Sequence, residues 1–412
     1  MKFTLINIGD ELLIGQVVNT LASDLARLFD PYGWSIEEIL TVGDTREAIT
    51  GAVTAALAKT DVVLTTGGLG PTRDDITKKV MTEIFGGELR EDPATLENVL
   101  DVVARRHINI NPLTAAQAIV PTSARVIQNR VGTAPIMWFE RDGKVLVSMP
   151  GVPFETITMT RDAVLPALLE RFPSKDNIAH ATTIVTGFTE SNLAAYLTPF
   201  EDSLPPYLHL AYLPRPGIIR LRLDGRHPDR EFIEREVAEY DRRLVSALGE
   251  NVIATEDLTV PEILLKSFRE KGLTFGSAES CTGGNIVHEL TMVPGASDVV
   301  LGGVCSYSNE VKINLLGVKA ETLEAHGAVS REVVSEMAEG ARRALGADVA
   351  VATSGIAGPG GGSPEKPVGT VCIAASSARG TRAMTAHFPG SRDRVIDRAT
   401  MTALLLALSL TR

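Results

Sequence analysis

Cysteine is nearly absent from this 412-residue chain: Cys281, Cys305 and Cys372 are the whole supply, all in the last third and without a C-x-x-C pair. Thiols so sparse and odd in number exclude a disulfide framework or a cysteine-built zinc site, and fit a reducing compartment. Long apolar runs are missing as well. No stretch approaches the roughly 18 residues of a membrane span. The opening M-K-F-T-L-I-N-I-G-D-E turns to charge too early for a signal-peptide core. The expectation is a cytoplasmic protein with no membrane partner. Positive charge is in deficit, 40 Lys and Arg against 51 Asp and Glu, and the net charge of −11 argues against nucleic acid as the main ligand. Hydrophobic content of 44% with 22% charged residues describes an ordinary soluble protein, and the length exceeds what one core usually serves.

What is present is organised in three parts. In the first, residues 1–172, apolar runs at Phe3–Ile8, Trp34–Val42 and Val62–Thr66 alternate with helical stretches, from about Asn19 to Phe29 and over Arg46–Ala58 with Thr45 as its cap. That alternation predicts parallel βαβ units in a doubly wound sheet, whose ligands bind at the carboxyl ends of the strands. Gly9-Asp10-Glu11 and the loop G-G-L-G-P-T-R-D-D fall at such ends. Lys144–Met149 reads as a further strand and Glu155–Leu165 as a closing helix. Past a linker at Pro173–Asn177, residues 178–252 read as a small α+β domain. It is locally basic through Arg215, Arg220, Arg222, Arg226 and His227, a pattern we read as a solvated sheet face. Residues 257–412 form a third, α/β part, with the helix Val260–Lys271 and a strand at Val349–Ala352.

The third part carries A-E-S-C-T-G-G, Ala278–Gly284, between an apolar run and a helical one. Strand, tight turn and helix in that order expose small side chains and bring a helix N-terminus near a ligand. Read locally, Ser280, Cys281 and Thr282 either cap the helix or offer a nucleophile. Two further strand ends can converge on them, Ser306–Asn309 with Tyr307 and Lys312, and Thr353–Gly355 with amides suited to an oxyanion or phosphate. His288, His326 and His387 lie elsewhere, so a Ser-His-Asp triad is unsupported. A serine without histidine needs another base, and a lysine of depressed pKa supplies one. Lys312 sits by a helix start that would lower it; the alternative is an ordinary exposed lysine. Cys281 competes as nucleophile and ranks second, since no base singles it out.

In the first part, Gly67, Gly68 and Gly70 end a strand as a phosphate-cradling loop would. Asp74 and Asp75 follow at the next helix start. They either cap that helix or, with Asp10, Glu11 and Asp44, give oxygens to a hard divalent cation bridging phosphates.

The motifs E-S-C-T-G-G, Y-S-N-E-V-K-I-N-L-L-G-V, H-G-A-V-S, T-S-G-I-A-G-P-G-G-G and K-P-V-G-T-V resemble the CinA C-terminal domain over about residues 257–412. The resemblance implies an amidase that hydrolyses nicotinamide mononucleotide (NMN) to nicotinic acid mononucleotide and ammonia without a cofactor, a step of pyridine nucleotide salvage. Carried over by motif, Ser280 is the nucleophile and Lys312 and Tyr307 assist proton transfer. Glu279, Cys281, Thr282, Gly283, Thr353, Ser354, Gly355, Gly358 and Gly360 line the substrate, with Arg392 and Arg398 as weaker phosphate candidates that are otherwise surface residues. The motifs G-D-E-L-L-I-G-Q-V-V-N-T, T-T-G-G-L-G-P-T-R-D-D-I-T, G-T-A-P and P-G-V-P-F-E resemble the CinA N-terminal domain, itself similar to molybdopterin-binding proteins. They imply ADP-ribose pyrophosphatase activity with a divalent ion (magnesium, manganese or cobalt). Gly67, Gly68, Gly70 and Thr72 would then bind the nucleotide, and Asp10, Glu11, Asp74 and Asp75 the metal. The family also implies a homodimer acting on small nucleotides. Two positions depart from its pattern: Leu21, where many relatives have asparagine, and Ile136, where glycine usually follows G-T-A-P. An isoleucine there is expected to narrow backbone approach to a ligand. The competing functional readings are a nucleotide- or pterin-binding regulatory protein of the competence type with vestigial catalysis, and a nucleotidyl-transferring first domain.

Overall fold

The computed structural model describes residues 1–72, 75–173 and 176–411. Two compact units result, Met1–Ala179 with Arg226–Glu234, and His180–Gly225 with Arg235–Arg412. All of it is α/β.

The first unit is built on a six-stranded sheet in the order Ser35–Val42, Lys2–Ile8, Val62–Thr66, Lys144–Met149, Ile136–Arg141, Arg125–Ile127. The first four strands are parallel and the last two antiparallel. The central strands are apolar throughout because both faces are covered, and alternate residues separate onto the two faces. Phe3, Leu5, Leu64 and Val147 pack with Leu25, Phe29, Met159 and Leu168. Ile6, Val63 and Leu146 pack with Ile49, Val53, Val80 and Met81. Thr45 does cap its helix, accepting from Ala48 N at 3.3 Å, and that helix runs Arg46–Lys59. The predicted closing helix differs: Pro153–Met159 is followed by a π turn, Thr160–Val164, then Leu165–Arg171, whose second residue is Pro166. Proline lacks the N–H that an unbroken α ladder needs there. Ile136 is fully buried with Phe3, Leu64 and Trp138, so it belongs to the core and does not narrow the ligand face.

The basic stretch after the linker lies on a four-stranded sheet, Leu208–Arg215, Ile218–His227, Asn177–Val185, Val252–Ala254. Three of its four arginines meet carboxylates: Arg220 with Asp257 at 3.0 Å, Arg222 with Asp224 at 2.9 Å and Arg226 with Asp176 at 3.3 Å.

The C-terminal sheet runs Val300–Cys305, Phe275–Glu279, Val349–Gly355, Thr370–Ser377, Gly380–His387, the first three parallel and the rest antiparallel. Phe275, Val349, Val351 and Ile373 face the helices Val260–Lys271, Asn285–Thr291 and Arg392–Ser409. The other face is alanine-rich, with Ala278, Ala350, Ala352 and Ala374 against Arg331–Leu345. Small side chains bring that helix close, and it in turn crosses Asn309–Leu316 at Gly340, where a Cβ would lie 1.9 Å from the Leu316 carbonyl oxygen. Among the described residues no helix is long and apolar enough to cross a membrane.

Candidate active sites

In the C-terminal sheet the strand Phe275–Glu279 continues into the heptapeptide, so the turn proper is Ser280–Gly284. Gly283 (φ 61°) and Gly284 (φ 102°) take the two left-handed positions that reverse the chain into helix Asn285–Thr291. Glu279, expected to touch substrate, is instead spent on this turn. It is 1% exposed, and its carboxylate accepts from Ser277 Oγ, Thr282 Oγ1 and the N–H groups of Gly284, Ile286 and Val287 at 2.8–3.2 Å. Five donors fill the oxygens of a carboxylate, leaving nothing for a ligand. A buried charge pinned by a helix N-terminus holds Ser280 in place at the strand end.

Ser280 N donates to Thr353 O at 3.0 Å, which sets the heptapeptide beside the Thr353–Gly355 strand end, and Thr282 Oγ1 and Thr353 Oγ1 lie 2.7 Å apart. Thr353 and Ser354 are buried, as is Gly358, whose carbonyl accepts from Arg392 Nη1 at 2.8 Å. Gly283 and Gly360 are exposed.

Lys312 is not the exposed lysine of the alternative reading: it is 1% exposed. Ser308 caps its helix by accepting from Val311 N, which sets Lys312 at the start. Its Nζ donates to Ser306 O at 2.6 Å and Tyr307 O at 3.3 Å, and lies 3.4 Å from Ser280 Oγ. Burial holds the amine below the ordinary lysine value, with the neighbouring Cys281 opposing. A neutral amine has two N–H bonds and one lone pair. Two backbone carbonyls take the N–H bonds, and the lone pair is left to the serine hydroxyl. Tyr307 enters through its carbonyl, since the residue is 70% exposed. Cys281 is 7% exposed and burial pushes its thiol up to about 12, so it stays protonated at neutral pH and is a poor nucleophile there.

The first unit holds a cavity of about 420 Å³ at the carboxyl ends of its parallel strands, lined by Gly67, Gly68, Gly70, Glu11, Asp44 and Asp75 among others. Gly67 (φ 102°) packs so tightly that a Cβ would lie 2.1 Å from Ile8 O. Leu21 lines the cavity too. Thr72 is tied to the loop's own carboxylate: Asp75 accepts from Gly70 N at 2.7 Å, Thr72 N at 2.9 Å and Thr72 Oγ1 at 2.5 Å. Asp10 and Asp44 exchange backbone bonds, each carboxylate accepting from the other's N–H at 3.0–3.4 Å. Burial, opposed by the Asp10 N–H and reinforced by the charges of Asp10, Glu11 and Asp75, raises the Asp44 carboxyl above its usual range. Asp74 lies outside the described residues. Among those described, no three His, Cys, Asp or Glu side chains gather as a metal cluster. Those described residues form no closed cage; the carboxylates of Glu11 and Asp44 at the cavity wall are oxygen donors of the kind a hard divalent cation takes. Gln117, which also lines the cavity, escaped sequence reasoning because no motif marks it.

Comparison with known proteins agrees with both halves. Residues 257–411 match the model of the CinA C-terminal domain, and residues 4–170 that of the "Probable molybdopterin binding domain". A CinA-like protein of Flavobacterium psychrophilum is 37% identical over 98% of this chain and 97% of its own, and one of Chloroherpeton thalassium 40% identical over 99% and 98%. A crystal structure of a competence/damage inducible protein from Agrobacterium tumefaciens is 40% identical over 37% of this chain and 94% of its own, with a TM-score of 0.37. On matches that run nearly end to end, the chain belongs to the CinA family.

Proposed function

We propose that the C-terminal sheet carries an NMN amidase with Ser280 as nucleophile and Lys312 as its base. The observation behind this reading is the buried Lys312 amine, with two carbonyls on its N–H bonds and Ser280 Oγ 3.4 Å away. Lys312 takes the hydroxyl proton as Oγ bonds to the carboxamide carbon. The resulting ammonium returns that proton to the amide nitrogen, the C–N bond breaks and ammonia leaves. Water then attacks the acyl-serine, Lys312 accepting its proton, and the carboxylate is released with Ser280 restored. The Thr353–Gly355 strand end and the Gly358 loop, with Arg392 beside it, supply amides and positive charge for the amide oxygen and the phosphate. Wild-type protein is expected to release ammonia from NMN, and Ser280→Ala, with its circular dichroism unchanged, to release none. Full activity in Ser280→Ala would remove the serine from the mechanism.

For the first unit we propose hydrolysis of the phosphoanhydride bond of a nucleoside diphosphate sugar, ADP-ribose being the substrate the family resemblance favours. The Gly67–Gly70 loop would take the phosphates. Glu11 and Asp44 at the cavity wall would hold a divalent ion, which when bound supplies charge neutralisation at the phosphates.

A further inference from the structure

One buried carboxylate of the first unit has no part in the chemistry proposed for it. Glu155 is 8% exposed and lines the same cavity as Gly67, Gly68, Gly70 and Thr133. Its Oε2 accepts from Asn129 Nδ2 at 2.9 Å, and Arg106 Nη2 approaches Oε1 only to 3.6 Å. Five donors saturate Glu279 in the other unit, whereas Glu155 has one, and a carboxylate offers about four acceptor sites. The group rests on Gly132, where a Cβ would lie 1.8 Å from Oε2 and 2.5 Å from Oε1, and the next two residues, Thr133 and Ala134, line the cavity. Its place is fixed. The buried Asn129 amide also donates to Ala134 O at 3.0 Å, and Thr156 Oγ1 donates to Pro150 O at 2.5 Å. Gly151 meets the glycine loop so closely that a Cβ there would lie 3.3 Å from Gly67 Cα. A carboxylate held in the cavity of a phosphate loop repels phosphate, and its spare oxygens favour neutral O–H donors.

We propose that Glu155 is a ribose-reading residue: its carboxylate accepts from the vicinal hydroxyls of a ribose whose diphosphate lies on the Gly67–Gly70 loop. The inference rests on the nucleotide reading of this cavity and narrows it to ribosyl diphosphates. Vicinal hydroxyls present two O–H donors to the oxygens of one carboxylate, and dinucleotide-binding folds place an acidic residue on a ribose hydroxyl to the same end. Arg106 offsets the buried charge without filling its oxygens, and a guanidinium that near makes the group a poor ligand for a metal ion. Selection by such an acceptor is strong, because a sugar without the hydroxyls leaves it unpaired.

The test uses the full-length protein with magnesium and two uncleavable probes, α,β-methylene-ADP and its 2′,3′-dideoxy counterpart, titrated by calorimetry. Each carries a single sugar, so only that sugar can answer. Wild type is expected to bind the ribose form at least tenfold more tightly than the dideoxy form. Glu155→Gln, similar in volume and without the charge, should narrow that preference to about threefold or less by weakening the ribose form alone. Glu155→Asp, which withdraws the carboxylate by one methylene, should narrow it as well and serves if the glutamine variant does not fold. Equal binding of the two probes by wild type overturns the inference. So does a preference that survives in the variants, or an equal loss for both probes. A wild type that reads the ribose through Glu155 but leaves ADP-ribose uncut supports the inference and overturns the pyrophosphatase reading alone. A wild type that binds neither probe overturns the nucleotide reading and the inference with it.

Discussion

Lys312 is the side chain whose surroundings determine how the C-terminal site responds to pH. Burial disfavours its ammonium form, so its folded-state pKa lies below 10.5, and the amine is neutral over more of the pH range than an exposed lysine would be. Because the base must be neutral to accept the serine proton, kcat/KM for NMN should rise with pH and level off above that lowered pKa. A profile flat across that range would exclude Lys312 as the base. Lys312→Met keeps the apolar stem and should cut kcat/KM roughly 10²–10⁴-fold, the usual worth of a positioned general base. Single-residue features of this kind were only half legible. Ser280 and Lys312 stand in motifs and could be named from the chain, but the two carbonyls that orient the amine are main-chain groups, and no side-chain pattern announces them. Glu279 shows the converse: it stands in the same motif, yet five donors consume it.

At the scale of elements, the helix Asn309–Leu316 delivers Lys312, and its far end rests on Gly340 of Arg331–Leu345. A methyl group at Gly340 would meet Leu316 O at 1.9 Å, so the helices must part. Gly340→Ala should cost about 1–3 kcal/mol of stability, the range for overpacking, read by urea denaturation. It should also lower kcat for ammonia release more than it changes KM, because the shift moves the base and leaves the phosphate-binding side alone. An unchanged kcat would show that the lysine does not ride on this crossing. Element positions were largely readable where burial is two-sided or a cap is strong: Val62–Thr66, Lys144–Met149 and Val260–Lys271 are found where the pattern puts them. Short elements were not, among them Arg125–Ile127 and the pair Leu89–Glu91 with Ile119–Pro121. Three residues are too few for a period to declare itself, and pairing with a distant strand decides their shape.

For the molecule as a whole, the two proposed chemistries need different things. A chelator should abolish ADP-ribose turnover and leave ammonia release intact, while Ser280→Ala should do the reverse in the same full-length chain. Loss of both activities under either treatment would contradict two independent centres. The overall α/β plan followed from alternating apolar and helical stretches, whereas the antiparallel edge of the first sheet, Ile136–Arg141 with Arg125–Ile127, carries no such alternation, and Ile136 at its start is buried in the core. The placement of the three thiols carries a consequence for oxidative conditions. Cys281, next to Ser280, is buried and protonated, Cys372 is buried, and Cys305 is exposed, its thiol raised less far by partial burial and the Glu279 charge. Peroxide reacts with thiolates that it can reach. Damage should therefore fall first on Cys305, the thiol that solvent reaches, and the proposed ammonia release from NMN should persist in peroxide that silences enzymes with a thiolate nucleophile.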